Sequence, residues 1–322
     1  MSTGTGDEQE RGREADVPSE IPRAGWRDVL VRVKDAIRED RITLIAAGVA
    51  FYAMLALFPA MIVVVSVYGL VMDPEEIAVQ VRTLGVVPDD VRSILTAQLD
   101  ALARVPSGRL SLSLAFGMLV ALWSASAGMK ALVTGVNAAY SEAETRGFVR
   151  LRGLAVALTL GGSLVTVLAL AVIVALPVAA ERLPGPASLL VSVLRWPLLA
   201  AVLIAGVAVL YRVAPSREDA RWQWLSWGSV AATGLLLVGS MLCSLYASYA
   251  PAQNKTYGTF FGVIVLLFWL FLSAFAVLLG AELNAELELQ TSRDTTVGPP
   301  RPRGERGAYV ADHVAKSPGD PA

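Results

Sequence analysis

Lys130 and the run Glu282-Leu283-Asn284-Ala285-Glu286 place charge where this 322-residue chain should tolerate it least, inside or at the edge of long apolar stretches. A cation in hydrocarbon costs several kcal/mol unless it pairs, snorkels or faces water. Lys130 is therefore either a structural cation that snorkels or pairs, or a functional group. Glu282 and Glu286 are four apart, hence neighbours on one helix face, with Asn284 between them. A Lys130–Glu282 ion pair, or a polar cleft with Asn284 and Glu286, is the expectation; a helix end emerging into headgroups is the alternative. Pro59 lacks an N–H and marks a candidate helix break or kink. Asn254, Tyr257 and Gly258 form a polar mouth ahead of Gly262, whose G-x-x-x-G spacing to Gly258 reads first as close helix packing.

Catalysis finds little to work with. The single histidine, His313, lies in a polar tail, and the single cysteine, Cys243, lies in an apolar stretch. No cluster of acids and ligands resembles a metal site, so no metal and no cofactor is expected, and the chain reads as a non-enzyme. A net charge of −1 offers no basic excess for nucleic acid. Hydrophobic residues make up 55% and charged residues 17%, with a mean hydropathy of +0.56. Membrane lipids are the expected surroundings, and the oligomeric state stays open.

The elements that must hold these groups follow from the apolar pattern. A spanning helix needs about 20 mostly apolar residues. Six stretches qualify, over about 44–72, 110–140, 153–180, 196–211, 225–250 and 257–289. The expected fold is all-α: a polytopic bundle of six transmembrane helices over 44–289. The fourth is the shortest, and Pro197 suits its first turn. Residues 24–43 form an amphipathic helix, with Trp26, Val29, Leu30, Val33 and Ile37 on one stripe. It either lies along the membrane surface or docks on the protein's own helices. Residues 73–109 read as two short amphipathic helices capping the outer end, while 1–23 and 290–322 read as disordered tails.

Lys and Arg outside these stretches alternate in density. Eight precede residue 44, four lie in 73–109, three each in 141–152 and 212–224, and five follow 290. Cationic loops stay in the cytoplasm, which predicts both termini and the loops around Arg150 and Arg217 inside, and the loop around Arg92 outside.

Ala46-Ala47-Gly48-Val49-Ala50-Phe51-Tyr52 leading to Leu57-Phe58-Pro59, then Leu122-Trp123-Ser124, Asn137, Tyr140, Tyr257-Gly258-Thr259 and Gly280-Ala281-Glu282-Leu283-Asn284-Ala285, resemble the YihY/BrkB family of bacterial inner-membrane proteins. The resemblance runs from about Trp26 to Leu289. It implies a six-helix inner-membrane protein, sometimes labelled a virulence factor and, in older naming, ribonuclease BN. The residue inventory gives that ribonuclease label no chemistry. The leading expectation is a protein that moves or binds a lipid-like or amphipathic envelope molecule. Its cleft would lie among the first, second and sixth spans, with Lys130, Glu282 and Asn284 as polar groups. An interaction scaffold with a filled interior is the alternative, and a membrane hydrolase comes third.

Overall fold

The computed structural model describes residues 11–71, 107–176, 186–249 and 259–315. The Asp73–Arg109 cap up to residue 106, the side chains of Phe58 and Pro59, and Asn254, Tyr257 and Gly258 lie outside the described residues. Helices dominate: α1 (Arg23–Glu39), α2 (Ile42–Val71), α3 (Ser107–Ala139), α4 (Phe148–Leu170, continued by a π turn to Ala175), α5 (Pro186–Val213), α6 (Trp222–Tyr249), α7 (Thr259–Gln290) and a short α8 (Tyr309–Asp312). Among the described residues the only extended pairing is one isolated bridge, Ala220 with Thr296.

Four of these helices are long and apolar enough to cross a membrane, or five if α1 and α2 together count as one bent span. Leu160, Leu164, Val238, Met241 and Ile264 point outward. In water such surface would be ruinous, whereas lipid tails are as apolar as leucine and leave helix contacts to be made by shape.

The buried core gathers at one end of the bundle. Ile42 opens α2, Val136 and Tyr140 close α3, Tyr211 closes α5, Leu225 opens α6, and Leu278 and Ala281 lie late in α7; all are buried together. Glycine permits the closest crossing there. A Cβ at Gly228 would collide with the Gly280 carbonyl oxygen, and one at Gly280 with the Tyr211 hydroxyl and the Gly228 carbonyl oxygen. The backbones of α6 and α7 thus touch where each carries no side chain.

Of the two expectations for the amphipathic helix, docking is what the structure shows. Val29 and Val33 are buried against Trp224 and Leu287, and Trp26 meets Trp227 edge to face at 5.2 Å. Arg41, at φ 53°, ends α1 in the left-handed region and turns the chain by 61° into α2. The sharp turn of this region lies there; α2 runs as one helix through position 59, which leaves a kink rather than a break as the reading of Pro59.

Two further expectations need correction. The fourth span is a 28-residue helix from Pro186 that carries Pro197 in its interior. Arg195 lies inside this helix with its guanidinium 5.1 Å from the Trp196 ring centroid, so one stacked charge does not end it. Nor are the tails disordered where they are described. Residues 11–22 bury Ala15 and Ile21, and 291–315 bury Ala308, Val310 and Ala311. Both tails gain order from hydrogen bonds to each other rather than from apolar area alone.

Candidate functional site: a polar plate at one end of the bundle

The charged residues at the end of α7 are held by neighbours that arrive from every side. Glu288 is fully buried and takes an ion pair from Arg217 at 2.7 Å, while the Thr295 hydroxyl donates to the same carboxylate oxygen at 2.6 Å. Arg217 also lies over the Tyr140 ring at 4.8 Å from its centroid. Burial works against the Arg217 charge, but Glu288 and its other acidic neighbours more than offset it and hold the group above its ordinary pKa. The pair ties the loop after α5 to α7.

Glu286 receives the Arg32 guanidinium at 2.5 Å, and Arg32 also donates to the side chain of Gln290 at 2.8 Å. The sequence placed Arg32 off the apolar stripe of α1, and that position is what lets it reach α7. Asn284 accepts from the Gly228 N–H at 2.8 Å and donates to the Leu225 carbonyl at 3.3 Å. It therefore stitches α7 to the first turns of α6.

Glu282 is buried and faces Asp40 in the α1–α2 turn, carboxyl to carboxyl. Two carboxyl groups can share a hydrogen bond only if one holds a proton. Burial raises the Asp40 carboxyl pKa, the hydrogen bond from Glu282 offsets part of that, and the nearby Glu39 adds to it.

Asn137 donates to Glu144 at 3.0 Å and accepts from the Ser216 N–H at 2.8 Å, joining the loops after α3 and α5. Its Glu144 partner is held below the usual carboxylate range, chiefly by hydrogen bonding to Arg146. The C-terminal segment closes over these loops. The Glu218 N–H donates to the Gly307 carbonyl, the Arg221 N–H to the Thr295 carbonyl, and the Tyr309 N–H to Glu142. On the other flank the Gln290 side chain and the Ser292 N–H donate to the carbonyls of Arg11 and Arg13. Arg306, buried, bonds the carbonyls of Ser292, Arg293, Arg301 and Ala311.

The expected sites therefore separate. Glu282, Asn284 and Glu286 join this plate, together with Asn137, Tyr140 and Gly280, and none of them lines either of the two apolar clefts described below. Lys130 is not among them. It is half-buried, forms no ion pair within 4 Å among the described residues, and its backbone carbonyl accepts from Thr134 at 3.0 Å. The expected Lys130–Glu282 pair is thus replaced by Asp40 opposite Glu282. Phe51 and Tyr52 pack edge to face at 5.8 Å near the surface of α2. Gly262 has open space where a Cβ would stand, so no helix among the described residues packs against it there. His313 stacks on Tyr309 at 4.0 Å in the C-terminal segment.

Sequence reasoning missed Arg217, Glu288, Arg306 and Asp40. Glu288 follows Glu286 by two and Glu282 by six, an acidic run that marked a helix end. Only the partner loops show that the end is buried.

Apolar clefts lie elsewhere. One, of about 580 Å³, runs along α3, α4 and α5 past Met129, Leu158, Gly161 and Gly206. A second, of about 540 Å³, lies between α6 and α7 beside Cys243, Tyr246 and Phe268. Both are open at the lipid-facing side and carry almost no polar lining.

Apolar crossing helices joined at one end by a buried polar plate define an integral membrane helix bundle. Residues 33–305 match the family model described as Virulence factor BrkB, and the chain belongs to that family. It is 31% identical over 257 residues to the putative ribonuclease-like protein YfkH of Bacillus subtilis (strain 168), covering 75% of this chain and 88% of that one. It is 28% identical over 270 residues to the UPF0761 membrane protein Mpe_A1422 of Methylibium petroleiphilum, covering 81% of this chain and 62% of that longer relative. A UPF0761 membrane protein of Albidiferax ferrireducens is 25% identical over 282 residues, covering 83% of this chain and 64% of the relative. No solved structure matches the chain.

Proposed function

We propose that this protein is a six-crossing inner-membrane protein that binds or moves a lipid-like or amphipathic molecule through a lateral groove, with no chemistry performed on it. The observation that carries this reading is the apolar groove of about 580 Å³ between α3, α4 and α5. Its volume falls in the range usual for small-molecule sites, about 300–1,000 Å³. Among its leucine and valine lining stand Gly161, Gly162 and Gly206, and a Cβ at Gly161 would meet nothing within 4 Å. The cleft thus shares only the second span, α3, with the expected site among the first, second and sixth spans, and its other walls are α4 and α5.

In this reading the polar plate faces the cytoplasm, because its segments hold most of the arginines outside the spans. Both termini are then cytoplasmic, and the 73–109 segment caps the outer face. The proposal assigns no nucleic-acid partner, no metal and no cofactor. The ribonuclease-like name of the Bacillus relative is not carried over, since Glu286 and Glu288 are engaged with Arg32 and Arg217 and Glu282 faces Asp40.

A second reading is favoured by one observation, the plate itself: an ordered cytoplasmic surface built from both tails suits an interaction scaffold. A photoreactive phospholipid with a diazirine in its acyl chain separates the two. Crosslinks concentrated on α4 and α5, around Leu158–Val165 and Leu203–Leu210, are expected. Labelling spread evenly over all lipid-facing helices would contradict the groove and leave the scaffold.

A further inference from the structure

We infer that the outward face of α1 is a docking surface for the anionic headgroup layer of the bilayer, with Arg23, Arg27, Lys34 and Arg38 against its phosphates and Leu30 inserted beside them. The surface is independent of the groove between α3, α4 and α5. At about 100° per residue, the sides of α1 follow one another in a fixed order. Val29 and Val33 mark the side that docks on Trp224 and Leu287. Around one flank come Trp26, Ile37 and then Leu30; the four cations follow, and Asp28, Asp35 and Glu39 close the circle on the other flank. All four cations are exposed, and none of them has an ion-pair partner among the described residues. Leu30 belongs to the apolar stripe of the sequence, yet it is 57% exposed, so docking on the bundle does not account for it.

The contacts of α1 show which flank faces lipid. On the acidic flank Asp28 takes Arg11 of the N-terminal segment at 2.9 Å, and Arg32 next to it reaches Glu286 and Gln290 at the end of α7. That flank belongs to the polar plate. On the opposite flank Trp26 and Ile37 pack on the same buried cluster as Leu279 and Leu283. Those two leucines lie about 16 and 10 Å back from Gln290 along α7, at ~1.5 Å per residue, so this flank faces the hydrocarbon. Trp26 meets Trp227, itself 44% exposed, and an exposed tryptophan pair suits headgroup depth. Leu30 is the next side chain round from Trp26 and Ile37, and the cations stand between it and the acids. Hydrocarbon, phosphate and water therefore meet α1 in the order in which its apolar, cationic and acidic strips run. The 61° turn at Arg41 takes α1 out of the crossing direction of α2, and Leu44 in the first turn of α2 is already 66% exposed, as a lipid-facing residue is. The open side of α1 thus carries four positive charges and no acid beside the hydrocarbon boundary. An anionic surface complements that charge and a neutral one does not. Because Arg32 ties α1 to Glu286, attachment to headgroups also fixes the depth of the plate.

The test uses the full chain in lipid nanodiscs, in a Cys243→Ser background, with one fluorophore at Leu30→Cys or at Asp35→Cys. Quenching is read with phosphatidylglycerol and with phosphatidylcholine, each spin-labelled near the top of the acyl chain, and with aqueous iodide. At position 30 phosphatidylglycerol should quench about two- to fivefold more strongly than phosphatidylcholine, and iodide should quench little. At position 35 iodide should quench more than either lipid. Arg27→Gln, Lys34→Gln and Arg38→Gln together should bring the two lipids level at position 30, whereas Arg27→Lys with Arg38→Lys should keep the preference. Every substituted side chain on α1 is exposed, so the docked side is left intact, and an unchanged helical circular-dichroism spectrum checks this. Equal quenching by the two lipids with all four cations present overturns the assignment. So does a position 30 reached by iodide and by neither lipid, which would leave the face to an acidic protein, or one shielded from all three quenchers, which would leave it to a second copy of the chain.

Discussion

Arg217 and Glu288 form the pair on which the plate turns. Removing one member leaves the other buried without a counter-charge, a loss of about 3–5 kcal/mol, whereas replacing both with apolar groups of similar volume is close to neutral. Arg217→Met should therefore lower the thermal midpoint in detergent steeply, and Arg217→Met with Glu288→Leu should recover at least half of the loss; two additive losses would show that the pair is not coupled. Asp40 gives the plate a pH dependence of known sign. Its folded pKa is raised, so its contribution to stability is fully present below the ordinary value of 3.8 and is lost as pH rises through the folded value. Asp40→Asn removes that loss. The midpoint of Asp40→Asn relative to the unaltered protein should rise as pH increases from 3.8, and a difference that stays constant from about pH 3 to pH 8 would refute the assignment. At this scale the sequence was a partial guide. Glu282, Asn284 and Glu286 were legible as special because they are polar at the end of an apolar run. Their charged partners were not, because Asp40 and Arg32 lie some 240 to 250 positions away and look like ordinary loop or surface charges.

Helix α7 crosses α6 by touching backbone to backbone, and that contact sets what the pair tolerates. Gly228→Val forces a branched side chain into the Gly280 carbonyl and the Asn284 side chain, with a cost of about 1–3 kcal/mol or more from overpacking. Gly161→Ala, which meets open space, should be neutral or gain up to about 1 kcal/mol from helix propensity. Unfolding midpoints of the two variants should differ in that order, and equal effects would mean that α6 and α7 do not meet as described. The apolar runs located α2, α3, α6 and α7 to within a few residues, since their boundaries are set by charge and proline at the ends. Helix α5 escaped because Arg195 and Pro197 sit inside it. A guanidinium stacked on Trp196 satisfies itself locally, and a proline in a membrane helix costs little when neighbouring groups take up the freed carbonyl.

At the scale of the molecule, two tails with no apolar periodicity become an ordered layer. Arg306 alone bonds four backbone carbonyls, and the N-terminal segment is bonded to the residues after α7. Composition reads such segments as unable to bury enough surface to fold. It has no way to register that the end of the bundle supplies the partners. Residues 11–22 and 291–315 meet in one layer, so the proposed function requires both segments on the same side of the membrane, and that is the claim on which the proposed orientation depends. Impermeant maleimide labelling of intact cells measures it most directly, using Glu20→Cys and Arg303→Cys, each as the single cysteine in a Cys243→Ser background. Both positions should stay unlabelled until the cells are opened and then label equally; one site labelled from outside and the other protected would contradict the account.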